Sequence, residues 1–147
     1  MERFSLHCAV NLLLFQKQNI LMLLRKNTGF ADGMFGVVGG HLDGEESAIS
    51  GLIREVHEEI NIQVQPQDLK LVVTVHRKLD YCEYIDLFFT SNTWRGELKN
   101  NEPDKHLQYA WFPVCSLPEN TMPLVQHALE NYLKGMNYLE LGWHIKD

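Results

Sequence analysis

The stretch Gly39–Ile62, GGHLDGEESAISGLIREVHEEINI, constrains this chain more than any other. Two glycines precede Glu46, and after seven further residues come Arg54, Glu55, Glu58 and Glu59. At about 100° per residue, a helix over this segment puts Ile49, Leu52, Ile53, Val56 and Ile60 on one apolar arc. Glu55, Glu58 and Glu59 fall on another, because spacings of three and four share a helix face. Exposed like charges so placed repel by roughly a few tenths of a kcal/mol per pair. A helix that crowds three carboxylates beside a Gly-Gly turn is expected to hold a cation.

The rest of the chain supplies strands around that helix. The run from Phe4 to Phe15 reads as a strand, and the run from Ile20 to Leu24 as a second, apolar throughout and so expected to be buried on both faces. A polar, glycine-bearing loop, RKNTGFADGMFG, leads to a short strand at Val37-Val38 and the Gly39-Gly40 turn. The helix is expected from about Glu45 to Ile60, closed by Asn61 in the left-handed conformation. Strands are expected over Leu69 to Arg77, Tyr84 to Ser91 and, last and shortest, Tyr109 to Val114. Thr121 is placed to cap a second helix with Pro123 in its first turn, ending at Gly135. The tail, MNYLELGWHIKD, fits a strand, a docking segment or part of a subunit contact in a homodimer. Strands, helix, strands, helix in that order imply one α/β domain over residues 1–147, with a mixed sheet between helices.

Composition excludes several classes. A formal net charge of −6 argues against non-specific nucleic-acid binding, although an acidic protein can bind phosphates through a metal ion and a few cations. Three scattered cysteines, Cys8, Cys82 and Cys115, contain no CxxC pair, so neither a disulfide framework nor a zinc site is expected. The first residues lack the pattern of a secretory signal, and no apolar run approaches the ~18 residues that span a bilayer. No membrane association is expected, and a reducing cytoplasmic location is the default.

Gly40, Glu46, Arg54, Glu55, Glu58 and Glu59, with apolar Val56 and Ile62, recur by chance at fewer than roughly one start in ten million. The stretch resembles the Nudix box: glycine, five residues, Glu, seven residues, then Arg-Glu-apolar-x-Glu-Glu-x-Gly-apolar. It departs at one position, where Asn61 replaces a glycine and tolerates the same backbone conformation. Upstream, Val38-Gly39-Gly40 stands where Pro-Gly-Gly is common in the family. A broader resemblance to MutT-like relatives runs from about Val10 to Leu133, and only the box is specific. The resemblance implies a Nudix-type α/β/α sandwich with a central mixed β-sheet, and hydrolysis of a nucleoside diphosphate linked to another group with Mg²⁺ or Mn²⁺. Glu55, Glu58, Glu59 and the backbone of Gly40 are the implied metal ligands. Glu55 or Glu58 would orient or deprotonate the attacking water. Arg54 would pin Glu55 or a neighbouring glutamate rather than touch substrate, and Glu46 would brace the start of the helix. Glu102 is the candidate distant carboxylate. Arg25 and Lys26 are candidates for the distal phosphates, Phe35, Phe88 and Trp94 for stacking on the base, and Asn120 or Thr121 for the purine edge.

Plainer readings stand beside these. An acidic helix face is usually only solvated, but Gly40, Glu46 and Arg54 at the box spacing outweigh that. Glu102 reads equally well as a surface glutamate, Arg25 and Lys26 as an exposed loop pair, Trp94 as a core anchor and Asn120 as a turn residue. The seven histidines read as surface or structural residues, His41 lying nearest the box. The expected function is a Mg²⁺-dependent pyrophosphohydrolase that cuts a (d)NTP, such as 8-oxo-dGTP, to a nucleoside monophosphate and pyrophosphate. The short chain leaves little sequence for a second binding lobe, unless a dimer supplies one. The alternatives are hydrolysis of ADP-ribose, another nucleoside-diphosphate sugar or a dinucleoside polyphosphate, and a nucleotide-sensing module without turnover. The full set of box carboxylates argues against the last.

Overall fold

The computed structural model describes residues 1–144. Eight strands and two helices follow in the order β1 (His7–Gln16), β2 (Asn19–Arg25), β3 (Phe35–Gly36), β4 (Val38–His41), α1 (Ala48–Ile60), β5 (Lys70–Lys78), β6 (Glu83–Ser91), β7 (His106–Pro113), α2 (Pro123–Leu133) and β8 (Tyr138–Leu141). β1 pairs parallel with β6 and antiparallel with β4, and β5 joins β6 antiparallel. β2 carries β3 on one side and β7 on the other, both antiparallel. The two wings of the sheet meet only at the hairpin end of β1 and β2, in the register Phe15↔Ile20 and Gln16↔Asn19.

Alternation along the strands divides the core into two layers. Val10, Leu12 and Leu14 of β1 and Leu21 and Leu23 of β2 pack with Leu52, Val56 and Ile60 of α1. Leu13, Ile20 and Met22 point the other way and pack with Val125, Ala128 and Leu129 of α2. Both strands are therefore covered on both faces, which is why they read as unbroken apolar runs. The result is an α/β/α sandwich around a mixed sheet, as the residue pattern implied.

The details correct several sequence expectations. Gly39-Gly40 is not a turn. The pair lies inside β4, in the register Asn11↔Gly39 and Val10↔Gly40. α1 begins at Ala48 rather than Glu45, because Gly44 and Glu45 both take positive φ, 84° and 55°. Ser47 caps the helix instead, its hydroxyl accepting from the Ser50 amide at 3.1 Å. Asn61 closes it in the left-handed conformation, φ 64°, as expected.

Thr121 does not cap α2. Its hydroxyl donates to the Pro118 carbonyl at 2.6 Å, and Met122 takes the cap position without a side-chain bond. The segment before α2 is committed to β3: the Phe35 amide donates to the Asn120 carbonyl and the Met122 amide to the Phe35 carbonyl, each at 2.8 Å. β7 starts at His106, three residues before the expected Tyr109, and is not the last strand. The tail forms β8, parallel to β5 from Thr74↔Tyr138 to Arg77↔Leu141, and the Trp143 indole N–H donates to the His76 carbonyl at 3.1 Å. Among the described residues no helix is long and apolar enough to cross a membrane.

Candidate active site

β4, α1 and the loop before β7 meet around the box carboxylates, and Arg54 ties the cluster together. Its Nε donates to Glu46 Oε2 at 3.1 Å and its Nη2 to Glu46 Oε1 at 2.8 Å, a two-point fork. Nη1 donates to Glu55 Oε1 at 3.0 Å and to Glu58 Oε2 at 3.3 Å. Nη2 also reaches the His41 carbonyl at 3.4 Å and lies 3.3 Å from Asp43 Oδ2. The Asp43 amide adds a bond to Glu46 Oε1 at 2.9 Å. Hydrogen bonds from Arg54 first, and then from the Asp43 amide, hold the Glu46 carboxyl down at about 2. Glu46 in turn keeps the Arg54 guanidinium more firmly charged than usual. Arg54 is thus spent on glutamates, and Glu46 braces it.

Glu55 and Glu59 are crowded and poorly solvated. Glu59 is 5% exposed, and its Oε1 accepts from the Gly39 amide at 3.3 Å. Burial raises the Glu55 carboxyl, with Arg54 opposing. Burial raises Glu59 much further, and the charge of Glu55 adds to it. Glu58 faces solvent, its side chain 50% exposed. Gly40 forms the opposite wall: a Cβ there would sit 2.5 Å from Glu55 Oε1, so a side chain would push the Glu55 carboxylate out of its place. Among the described residues no three His, Cys, Asp or Glu side chains already close on one point. Arg54 stands between Glu55 and Glu58, and the exposed Glu58 is free to turn. Hard oxygen donors, surplus buried negative charge and a bare backbone wall fit a divalent cation of the Mg²⁺ or Mn²⁺ kind.

Glu102 reaches this cluster because its loop docks on the open end of α1. The Lys99 amide donates to the Ile60 carbonyl at 3.1 Å and the Asn101 amide to the Glu59 carbonyl at 3.0 Å. Asn101 Nδ2 donates to the His57 carbonyl at 3.3 Å, and Asn61 Nδ2 to the Glu97 carbonyl at 3.3 Å. The loop thereby satisfies carbonyls that a helix leaves open at its C-terminus. Glu102 lies near enough for its charge to bear on Glu59, and Lys105 Nζ sits 3.2 Å from Glu102 Oε2. His106, which sequence reasoning passed over, points into the same cluster, its Nε2 3.6 Å from Glu59 Oε2. Its only signal in the sequence is its place directly after Glu102-Pro103-Asp104-Lys105.

The candidate substrate residues are not brought together. Phe35 is 6% exposed and packs edge-on against Phe112, 4.9 Å between centroids, in the layer under α2. Phe88 is fully buried in that layer. Trp94 lies across the sheet in the α1 layer, stacked on Trp111 at 6.0 Å. Phe35 and Trp94 therefore cannot grip one base, and Phe35 and Phe88 are core residues. Arg25 bonds its own loop, Nε to the Phe30 carbonyl at 2.9 Å and Nη2 to Thr28 Oγ1 at 3.1 Å. The Lys26 amide donates to the Lys105 carbonyl at 2.9 Å, which places it beside the Glu102 loop. Asn120 is exposed before α2, and its Nδ2 donates to the Gly33 carbonyl at 2.9 Å, tying the Arg25 loop down.

The family model described as the NUDIX domain matches residues 5–132. No curated protein matches. Solved structures do. The chain resembles a MutT NUDIX hydrolase from Burkholderia pseudomallei, with a TM-score of 0.78 and 24% identity over 86% of this chain and 98% of that one. It also resembles the MutT protein from Methanosarcina mazei Go1, with a TM-score of 0.77 and 22% identity over 91% and 97%. The E. coli ORF135 protein follows with a TM-score of 0.74 and 18% identity over 88% and 90%. At such identities the likeness establishes the fold.

Proposed function

This chain belongs to the NUDIX family, and from that premise we propose that it hydrolyses a nucleoside triphosphate to the monophosphate and pyrophosphate with Mg²⁺ or Mn²⁺, residues 1–147 forming one catalytic unit. The observation that carries the reading is the Arg54 hub, which gathers Glu46, Glu55 and Glu58 beside Glu59 and the bare wall of Gly40. Glu55, Glu58, Glu59 and the backbone of Gly40 would hold the cation, with Glu102 completing the set. When bound, the cation lowers the pKa of a coordinated water and neutralises phosphate charge.

The chain's own residues do the rest. Glu46 fixes Arg54, and Arg54 fixes Glu55, so the side chain that faces Gly40 keeps one orientation. Glu58, the exposed carboxylate, or Glu55 takes the proton of the attacking water. The water oxygen bonds to one phosphorus of the bridge between the α- and β-phosphates, the bond from that phosphorus to the bridging oxygen breaks, and the other fragment departs with the bond electrons. Lys26, beside the Glu102 loop, is the candidate cation for the distal phosphates, while Arg25 positions its own loop.

MutT-like resemblance and the MutT names of the structural neighbours direct the choice of first substrates, an oxidised purine such as 8-oxo-dGTP among them. The test is a panel of nucleoside triphosphates, nucleoside-diphosphate sugars and dinucleoside polyphosphates with Mg²⁺, read as phosphate released by a coupled pyrophosphatase or phosphatase. Turnover of one triphosphate with pyrophosphate as product is expected. Tight binding of one nucleotide without turnover of any would make the protein a sensor instead.

A further inference from the structure

We propose that His106 is a positioning residue for the metal site, holding Glu59 Oε2 through its Nε2–H so that the rest of that carboxylate stays turned toward the cation. This rests on the metal-dependent reading above. His106 is 6% exposed, and its backbone is clamped on both sides: its amide donates to the Glu102 carbonyl at 2.9 Å, and its carbonyl accepts from Asn100 Nδ2 at 2.8 Å. The ring therefore has little freedom to leave the cluster.

Its two nitrogens differ. Nε2 lies 3.6 Å from Glu59 Oε2, a few tenths of an ångström outside hydrogen-bond reach. Nδ1 is buried and has no partner among the described residues. A doubly protonated ring would leave an N–H at the buried, unpartnered Nδ1, so the ring carries one N–H. If that hydrogen sat on Nδ1, a buried N–H would lack an acceptor and two lone pairs would face each other across the 3.6 Å gap. If it sits on Nε2, it points at Glu59, and only an acceptor lone pair at Nδ1 goes unused. Orphaned buried N–H groups are the rarer and costlier of the two. The Nε2–H form is thus selected.

The same orphan argues against His106 as a direct ligand. A ligating Nε2 would put the hydrogen on Nδ1, and histidine ligands almost always donate that hydrogen to a partner. None is present among the described residues. Glu59 is then held on Oε1 by the Gly39 amide, and its Oε2 is the oxygen that the His106 Nε2–H faces at 3.6 Å.

The experiment is direct Mn²⁺ binding by electron paramagnetic resonance, without nucleotide, for wild type, His106→Leu, His106→Asn and His106→Gln, with thermal melts alongside. Gln carries an N–H donor at the reach of Nε2, whereas Asn reaches only the Nδ1 position. Leu and Asn are expected to weaken Mn²⁺ binding by about tenfold or more, the scale of lost support behind a ligand, and Gln to stay near wild type. At saturating metal the KM for the triphosphate should be unchanged in all three. Wild-type Mn²⁺ affinity in folded His106→Leu, or equal weakening in Asn and Gln, would overturn the inference. Should Leu fail to fold, Asn against Gln decides. Glu58→Gln serves as the control. If it weakens Mn²⁺ binding while the His106 set does not, the metal-dependent reading stands and this inference alone fails. If wild type binds no Mn²⁺, both fail.

Discussion

Glu58 is the most exposed of the clustered glutamates and the one with room to turn, so its chemistry can be removed without disturbing the core. Glu58→Gln is expected to lower turnover by about two orders of magnitude or more while leaving the circular dichroism unchanged. Wild-type activity in that variant would displace Glu58 from the site. Glu59 is the opposite case, a buried carboxylate beside Glu55. Glu59→Gln removes the charge and keeps the oxygen that accepts from Gly39. In metal-free buffer at neutral pH it should melt at a higher temperature than wild type, and adding Mg²⁺ should raise the wild-type Tm more than the variant's. Glu46 supplies a pH signature. Its folded pKa, about 2, lies below the ordinary glutamate value, so the unfolded chain takes up the proton first as pH falls. Its stabilisation is complete above the ordinary value and disappears as pH drops toward 2. The stability difference between wild type and Glu46→Gln, from urea melts, should be constant above about pH 5 and close toward pH 2. A gap that persisted undiminished at pH 2 would disprove the pairing.

At the scale of elements, α1 does two jobs, and its end residue links them. Leu52 is fully buried in the α1 layer, so Leu52→Ala should cost about 2–5 kcal/mol in denaturant unfolding. Asn61 closes the helix in a conformation that glycine adopts more easily, yet its side chain also bonds the Glu97 carbonyl and accepts from Asn101 Nδ2 at 3.4 Å. Asn61→Gly trades backbone strain against those bonds. Global stability should move by less than about 1 kcal/mol, while hydrogen exchange across residues 97–101 should quicken. Unchanged exchange there would deny Asn61 its hold on the loop that carries Glu102. The departure from the box pattern at this position thus has a physical use that motif comparison alone does not suggest. Gly39-Gly40 teaches the converse. Two glycines read as a turn because glycine favours turns, but here they are extended strand, needed because a side chain at Gly40 would collide with Glu55 and one at Gly39 with the Val10 backbone.

Over the whole molecule, what could be read in advance was what is local or densely fixed. The apolar runs of β1 and β2, the spacing of α1 and the count of box positions each carry their own signal. Which layer an aromatic ring enters depends on pairing between distant strands. Phe35 and Trp94 therefore looked alike in sequence and lie on opposite sides of the sheet. His106 gave little signal because the group it faces, Glu59, comes from a distant segment. The tail is another long-range outcome: Trp143 bonds His76 and lies under Lys78 Nζ, 5.2 Å from the ring centroid. Trp143→Ala should cost about 1 kcal/mol in thermal or urea unfolding, since the ring is partly exposed. Val37 has the widest reach of any single residue. Gly36 is held to the β2 wing and Val38 to the β1 wing, so Val37 spans two halves whose strands pair with each other at the far hairpin. The separation at the Gly40 end is consequently a covalent length, about 7 Å of chain from Gly36 to Val38. Exchanging side chains can reshape the walls there, but inserting or deleting a residue at Val37 would change the gauge of the opening itself.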